Sequence, residues 1–202
     1  MKIFCIGKNY AEHAKEMNSK VPDKPLVFMK PSTALLLNDK PFYHPEFSQN
    51  IHHEVEIVLK INKHGRHIEP KYALSYFDEI GLGIDFTARD IQAECKKNGH
   101  PWEVAKAFDN SAVIGKFLSV DELDLKGITF HLLKNGEVVQ TGNTADLMFD
   151  FQKIISYVST IFTLQNGDFI MTGTPAGVGS VKIGDKLEGF IQDRKIFECE
   201  VK

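Results

Sequence analysis

Two glutamates one residue apart, Glu54 and Glu56, lie within His52-His53-Glu54-Val55-Glu56-Ile57-Val58-Leu59, a run that reads as a strand. Side chains two apart on a strand project to one face, so the carboxylates repel each other unless a cation lies between them. An oxygen-only pair suits a hard divalent ion such as Mg²⁺ or Mn²⁺, which keeps positions open for water or substrate. A solvated strand face explains a bare E-x-E at least as well, and Glu198 and Glu200 repeat the pattern near the end of the chain. Asp85 follows the mostly apolar Gly81-Leu82-Gly83-Ile84 at a switch into a helix. It is either a further oxygen ligand or a helix cap. Arg89 and Gln92, three apart on that helix, face one way.

His13 and Glu16 form H-x-x-E. On a helix they are neighbours, and the carboxylate can orient the imidazole as a general base near neutrality; a surface ion pair has the same spacing. Lys106 is embedded in Trp102-Glu103-Val104-Ala105-Lys106-Ala107-Phe108. A cation there needs a carboxylate or an anionic ligand unless its stem merely covers apolar surface. Met171 to Gly179 is a Gly/Thr-rich loop that contains Thr174. It offers N–H groups and hydroxyls to a substrate carboxylate, or is simply a tight turn that needs glycine. His52 and His53 are adjacent on a strand, point to opposite faces and are expected to be structural.

The elements that must position these residues are mostly short strands. Phe4 to Ile6, Leu26 to Met29, Ala34 to Leu37, Glu54 to Ile61 and Ile80 to Asp85 read as strands. Thr129 to Lys134 and Glu137 to Thr141 flank Asn135-Gly136, a hairpin turn. Helices are predicted over Tyr10 to Met17, Thr87 to Lys97 (ending at Asn98-Gly99) and Phe151 to Phe162. At the C-terminus Phe197, Cys199 and Val201 alternate with Glu198 and Glu200. With no regular βαβ alternation, the pattern predicts a β-rich α+β fold.

The bulk properties narrow the function classes. The 202 residues carry a formal charge of −3, with 43% hydrophobic and 25% charged residues, as in soluble globular proteins. No basic block suggests nucleic acid, and no apolar run is long enough to span a membrane. Three distant cysteines, Cys5, Cys95 and Cys199, argue against a disulfide framework. With no signal segment legible, a cytoplasmic protein of one domain over residues 1–202 is expected. No dinucleotide or P-loop fingerprint and no G-x-S-x-G elbow occurs.

Taken together, the segments resemble the fumarylacetoacetate hydrolase superfamily over nearly the whole chain. The resemblance is carried by C-I-G-K-N-Y from Cys5, F-M-K-P-S-T-A-L from Phe28, H-H-E-V-E-I-V from His52, G-I-D-F-T-A-R-D from Gly83, K-A-F-D from Lys106, N-G-E-V-V-Q-T-G-N-T from Asn135, and G-D-F-I-M-T-G-T-P-A-G-V-G from Gly167. It implies a β-roll of mixed sheets with short peripheral helices, assembled as a homodimer, and here without an additional N-terminal domain. It also implies that Glu54, Glu56 and Asp85 hold Mg²⁺ or Mn²⁺, and that His13 and Glu16 form the water-activating dyad of the acylpyruvate hydrolase and oxaloacetate decarboxylase branch. Lys106 matches the active-site lysine, and Arg89, Gln92 and Thr174 match substrate-side positions. Lys8 stands where some relatives have arginine. The implied reaction is metal-dependent C–C hydrolysis of acylpyruvate-type 2-oxo acids, with oxaloacetate decarboxylation open to the same site. Isomerisation of a 2-hydroxyhepta-2,4-diene-1,7-dioate is the related alternative, and a non-catalytic ligand-binding roll is the alternative from another class.

Overall fold

A computed structural model describes residues 1–16, 22–37 and 40–202. Its elements run β1 (Ile3–Gly7), α1 (Ala11–Glu16), β2 (Leu26–Lys30), β3 (Leu35–Leu37), β4 (Ile51–His53), β5 (Val55–Ile61) and α2 (Pro70–Ala73). They continue with β6 (Phe77–Asp85), β7 (Thr87–Ala88), α3 (Arg89–Asn98), α4 (Glu103–Lys106), β8 (Ala112–Ser119), β9 (Thr129–Lys134) and β10 (Glu137–Asn143). The last are α5 (Phe151–Ile161), β11 (Phe169–Met171), β12 (Gly179–Ser180), β13 (Lys186–Ile191) and β14 (Arg194–Glu200). Among the described residues these strands form a seven-stranded mixed sheet ordered β2-β1-β11-β5-β6-β8-β3, a four-stranded sheet β10-β9-β13-β14, and a three-stranded sheet β12-β4-β7. This is the strand-rich architecture expected from the sequence.

The seven-stranded sheet divides its side chains by strand alternation. Along β5, Val55, Ile57, Leu59 and Ile61 enter the main core with Phe4, Ile6, Leu82 and Ile84. The intervening positions face the other side, where Val58 packs with Ile3, Cys5, Ala112, Ile114, Phe169 and Met171. Glu56 and Asp85 occupy that second face by the same alternation. Gly83, paired with Glu56 across β5 and β6, keeps the face narrow. A Cβ on Gly83 would stand 2.4 Å from the Val113 carbonyl oxygen and 3.2 Å from Val58 Cγ2.

Local signals account for several boundaries. Asn135 and Gly136 adopt φ of 55° and 84° in the β9–β10 hairpin, as a type I′ turn requires. Gly99 ends α3 at φ 69°. Asp150 caps α5 by accepting from the Lys153 N–H at 2.8 Å. Phe151, Ile154, Ile155 and Val158 of α5 are buried in the main core, each contributing about 1.5–3 kcal/mol of gross burial.

Several boundaries shift by one to three residues, β6 starting at Phe77 rather than Ile80 and β10 running to Asn143 rather than Thr141. Two differences bear on the site. Thr87 and Ala88 are not helical: they form β7 and pair with His52 and Ile51 of β4, so α3 begins at Arg89. The strand predicted from Glu54 to Ile61 is interrupted at its first residue. Glu54 is the crossing point where the chain leaves the three-stranded sheet for the seven-stranded one. Tertiary pairing overrides local propensity in both places. Of the predicted N-terminal helix, Ala11–Glu16 is helical, and Met17 lies outside the described residues.

Candidate active site

The register of β5 and β6 extends beyond Val55 and Ile84 to bring Glu54 opposite Asp85, whose N–H donates to the Glu54 carbonyl at 2.8 Å. Glu56 lies one pleat along. One oxygen from each of Glu54, Glu56 and Asp85 lies within 4.8 Å of the others, and all three residues are buried. His52 and His53 do not join this group. His53 Nδ1 pairs with Gln140 Oε1 at 2.8 Å and His52 Nε2 with Asn50 Oδ1 at 3.0 Å. Burial holds both imidazoles below the ordinary histidine range, His52 at about 4, which suits structural neutral rings.

Three cations surround the carboxylates. Lys106 Nζ, at the end of α4, lies 2.7 Å from both Glu54 Oε2 and Asp85 Oδ2. Lys30 Nζ, at the end of β2 and fully buried, lies 2.8 Å from Asp85 Oδ1. Arg89 Nη2 pairs with Glu54 Oε1. Burial alone would raise the Glu54 carboxyl, but Lys106 and Arg89 outweigh it and hold the group well below the usual range. Burial likewise opposes the Lys106 charge, and Asp85 and Glu54 overcome it, so the ammonium is held above its usual range. Glu56 has no such partner. Burial, then the charges of Asp85 and Glu54, push its carboxyl well above the ordinary value despite an N–H donated by Gly173 at 2.7 Å.

These residues fit a divalent cation. The donor set is three carboxylates with no nitrogen or sulfur, the choice of a hard ion. Asp85 Oδ1 faces Lys30 but receives no aligned hydrogen bond, and ionised Glu56 lacks compensating charge. Three carboxylates against three cations leave the centre near neutrality, so a divalent ion makes it net positive, as an anionic substrate requires.

The sequence-predicted residues converge. A cavity of about 40 Å³ is lined by Glu54, Glu56, Asp85, Lys106, Arg89, Gln92, His13 and Thr174. Glu16 stands behind His13, with Oε2 3.3 Å from His13 Nδ1, and also accepts from the Gly177 N–H at 3.3 Å. Nδ1 is thus engaged, leaving Nε2 for substrate or water. The Gly/Thr loop behaves partly otherwise than expected. The Gly173 N–H serves Glu56 rather than a ligand, and Gly173 itself sits at φ 107° with Asn9 Cβ 2.7 Å from where its own Cβ would be.

Three supporting residues escaped the sequence reading. Lys30 bonds the Ser111 carbonyl and hydroxyl at 3.1 and 2.9 Å, tying β2 to the segment before β8. Its signal was a lysine sharing a strand face with Phe28. Asn9 locks the loop before α1 by donating to the carbonyls of Thr172 and Phe149 at 2.8 and 2.9 Å and accepting from the Phe149 N–H. Gln140, on β10, accepts from the Val55 N–H at 3.1 Å and donates to Thr174 Oγ1 at 2.8 Å and the Pro175 carbonyl at 3.1 Å. It joins the Glu54 crossing point to the Thr174 loop. Gln140→Leu should therefore cost about 2–4 kcal/mol, read from the urea midpoint, because buried partners lose their bonds. A change below about 0.5 kcal/mol would show that Gln140 is not the clamp.

Comparison with known proteins adds independent findings. The family model described as "Fumarylacetoacetate (FAA) hydrolase C-terminal" matches residues 2–202. The chain is 44% identical over 201 residues to "Oxaloacetate tautomerase FAHD1, mitochondrial" of Mus musculus, covering 99% of this chain and 91% of the mouse protein. It is 42% identical over 188 residues to "Oxaloacetate tautomerase YcgM" of Escherichia coli (strain K12), covering 92% and 86%. The solved structure of fumarylpyruvate hydrolase from Pseudomonas aeruginosa in complex with Mn²⁺ and pyruvate superposes with a TM-score of 0.93 at 32% identity, covering 100% of this chain and 89% of that one.

Proposed function

This chain belongs to the fumarylacetoacetate hydrolase family, and from that premise we propose a Mg²⁺- or Mn²⁺-dependent enzyme that forms the enolate of a 2-oxo acid, with oxaloacetate keto–enol tautomerisation as its leading reaction. The observation that supports this reading is the meeting of a buried three-carboxylate centre and a His–Glu pair in one small cavity. Glu54, Glu56 and Asp85 would hold the ion, which supplies Lewis-acid polarisation of a 2-oxo carboxylate. His13, fixed through Nδ1 by Glu16, presents Nε2 to remove a proton from the carbon beside the 2-oxo group. The electron pair left behind moves into the new C=C bond, and negative charge develops on the 2-oxo oxygen. Lys106, already aligned by Glu54 and Asp85, stabilises that charge without reorganising. Delivery of that proton from His13 to the 2-oxo oxygen gives the enol, and the reverse transfer to carbon regenerates the ketone.

The oriented His13 also supports a second reading, C–C hydrolysis of acylpyruvates. There Nε2 takes its proton from water instead, the oxygen attacks the distal carbonyl, and pyruvate leaves as the same enolate. The two readings share a base and a charge-stabilising site. They differ in which proton His13 removes. The protein with Mg²⁺ or Mn²⁺ is mixed separately with oxaloacetate, followed by enol absorbance, and with acetylpyruvate, followed by pyruvate release. The expected result is enolisation at least about 100-fold above a control containing the same metal but no protein, in the range general-base catalysis supplies. Rates equal to that control on both substrates would overturn the assignment.

A further inference from the structure

The peptide group between Thr172 and Gly173 meets a carboxylate of the acidic centre on one side and a single asparagine on the other. Its N–H donates to Glu56 Oε2 at 2.7 Å, the one hydrogen bond that Glu56 accepts among the described residues. Its carbonyl accepts from Asn9 Nδ2 at 2.8 Å. The C=O and N–H of a trans peptide point in opposite directions within one plane, and among the described residues no peptide is cis. Holding the carbonyl therefore aims the N–H. With the plane reversed, a carbonyl oxygen would face the Glu56 carboxylate and repel it.

Asn9 is fully buried and its side chain is completely engaged. Nδ2 donates its second hydrogen to the Phe149 carbonyl at 2.9 Å, and Oδ1 accepts from the Phe149 N–H at 2.8 Å. Neither aspartate nor serine supplies two donors and an acceptor at this reach. The approach to the peptide is close, since a Cβ on Gly173 would stand 2.7 Å from Asn9 Cβ and 3.1 Å from the Ile6 carbonyl oxygen. Asn9 also anchors the segment that leads to the base. Its carbonyl accepts from the Met148 N–H at 3.0 Å, and Tyr10 forms an isolated β-bridge with Leu147. His13 stands four residues beyond this anchor, on a six-residue helix too short to hold itself in place.

We infer that Asn9 is a positioning residue for both halves of the site: through the Thr172–Gly173 peptide it orients Glu56 as an ion ligand, and through its own main chain it places His13. The part that concerns His13 rests on the enolate reading, and the part that concerns Glu56 does not. Asn9 lies outside the cavity lining and acts only through these neighbours. A hydrogen bond to one carboxylate oxygen fixes the rotation of the group and leaves the other oxygen to a cation. The Gly/Thr loop thus spends an N–H on a protein carboxylate because that carboxylate must face a fixed point, and Asn9 keeps the N–H turned towards it.

The test reads the peptide itself. Thr-Gly occurs at two places in the chain, Thr141-Gly142 and Thr172-Gly173. Protein labelled with ¹³C at threonine carbonyls and ¹⁵N at glycine therefore gives two signals in a carbonyl-selected amide spectrum, and Gly142 on β10 is the internal control. In the Mg²⁺-saturated wild type the Gly173 proton should lie downfield, as a bond to an ionised carboxylate requires, and exchange slowly. In Asn9→Ala it should move upfield and exchange at least about tenfold faster, with Gly142 unmoved. Mg²⁺ affinity, read by calorimetry, should fall about 10–100-fold. At saturating Mg²⁺, kcat for oxaloacetate enolisation should fall about 10–100-fold with KM within about threefold of the wild type. Asn9→Ser, whose hydroxyl is one bond too short for the Thr172 carbonyl, should behave alike and serves if the alanine variant folds poorly. An ordinary Gly173 signal in the wild type, equal changes at Gly142 and Gly173, or unchanged Mg²⁺ affinity or kcat in the variants would overturn the inference. A wild type inert on oxaloacetate, with the spectral and calorimetric changes in place, would instead refute the enolate reading and leave the hold on Glu56 standing.

Discussion

Removing divalent ions should abolish turnover, and restoring them should raise the melting temperature more at pH 8 than at pH 5. Glu56 is the cause of the pH dependence. Its carboxyl is pushed well above the ordinary value near 4.5 by burial and by Asp85 and Glu54. In the metal-free protein the folded state therefore holds this proton more tightly than the unfolded chain does. The stability it contributes is fully present below the unfolded value and is lost as pH rises through the folded one. Glu54 runs the other way, because Lys106 and Arg89 hold its carboxyl low despite burial. Its contribution is present above the unfolded value and is lost only as pH falls through the depressed folded value. Between about pH 5 and 8 Glu56 supplies the slope among these carboxylates. His52 and His53, held below the ordinary value near 6.5, add an opposite slope in the acid half of that window. They add it with or without the ion, so the metal-induced difference reports Glu56. A divalent ion competes with the Glu56 proton, so it binds more tightly as pH rises. At a hundredfold excess over Kd it adds about 2.7 kcal/mol, roughly 5–10 °C for a domain of this size. Glu56→Gln removes both the slope and the site. Its metal-free form should melt higher than the metal-free wild type at pH 8, while the thermal response to Mg²⁺ disappears and activity falls at least about a thousandfold. A metal-induced shift equal at pH 5 and 8, or one that survives in Glu56→Gln, would remove Glu56 from the ligand set.

What could be read from the residue order follows the range of each interaction. Asn135-Gly136, Gly99 and the spacing of Phe151, Ile154, Ile155 and Val158 act within a few residues, and the structure places their elements where the pattern does. Glu54 and Glu56 were visible as a pair, but the pair became a centre only when Asp85, 31 positions from Glu54, was paired with it across β5 and β6. Lys30 meets Asp85 and Ser111, and Gln140 meets Val55 and Thr174, across comparable or longer stretches of chain. No local periodicity encodes such contacts. The parallel pairing of Ile3 with Phe169, which brings the first and eleventh strands together, is likewise invisible to propensity. The break at Glu54 is the most instructive miss. An apolar run reads as one strand, whereas the change of sheet at Glu54 redirects that carboxylate towards Lys106. Family resemblance could assign roles to Arg89 and Thr174, but geometry reveals that Thr174 is itself held by Gln140 and that Arg89 spans Glu54 and Gln92.

His13→Ala should lower kcat by about 10²–10⁴ while leaving Mg²⁺ affinity within about threefold of the wild type. The imidazole lines the cavity without belonging to the carboxylate group, so its loss leaves Glu54, Glu56 and Asp85 with their own partners. His13 is 5% exposed, and alanine leaves a void beside Glu16 rather than a collapsed wall. Exogenous imidazole at millimolar concentration should enter that void, donate an N–H to the Glu16 carboxylate and restore a measurable part of the lost rate. Glu16→Gln tests the other half of the pair. Glu16 acts through His13 and does not line the cavity, so its replacement should reduce kcat about tenfold with little change in KM. Glutamine can still accept from Nδ1–H but no longer offsets the charge of the protonated ring that proton removal creates. Equal loss of metal affinity in His13→Ala would reassign the histidine to the ion's surroundings. Full activity in that variant would mean that another base removes the proton. Rescue by imidazole in His13→Ala but not in Glu16→Gln would place the proton on His13 and confine Glu16 to holding it in position.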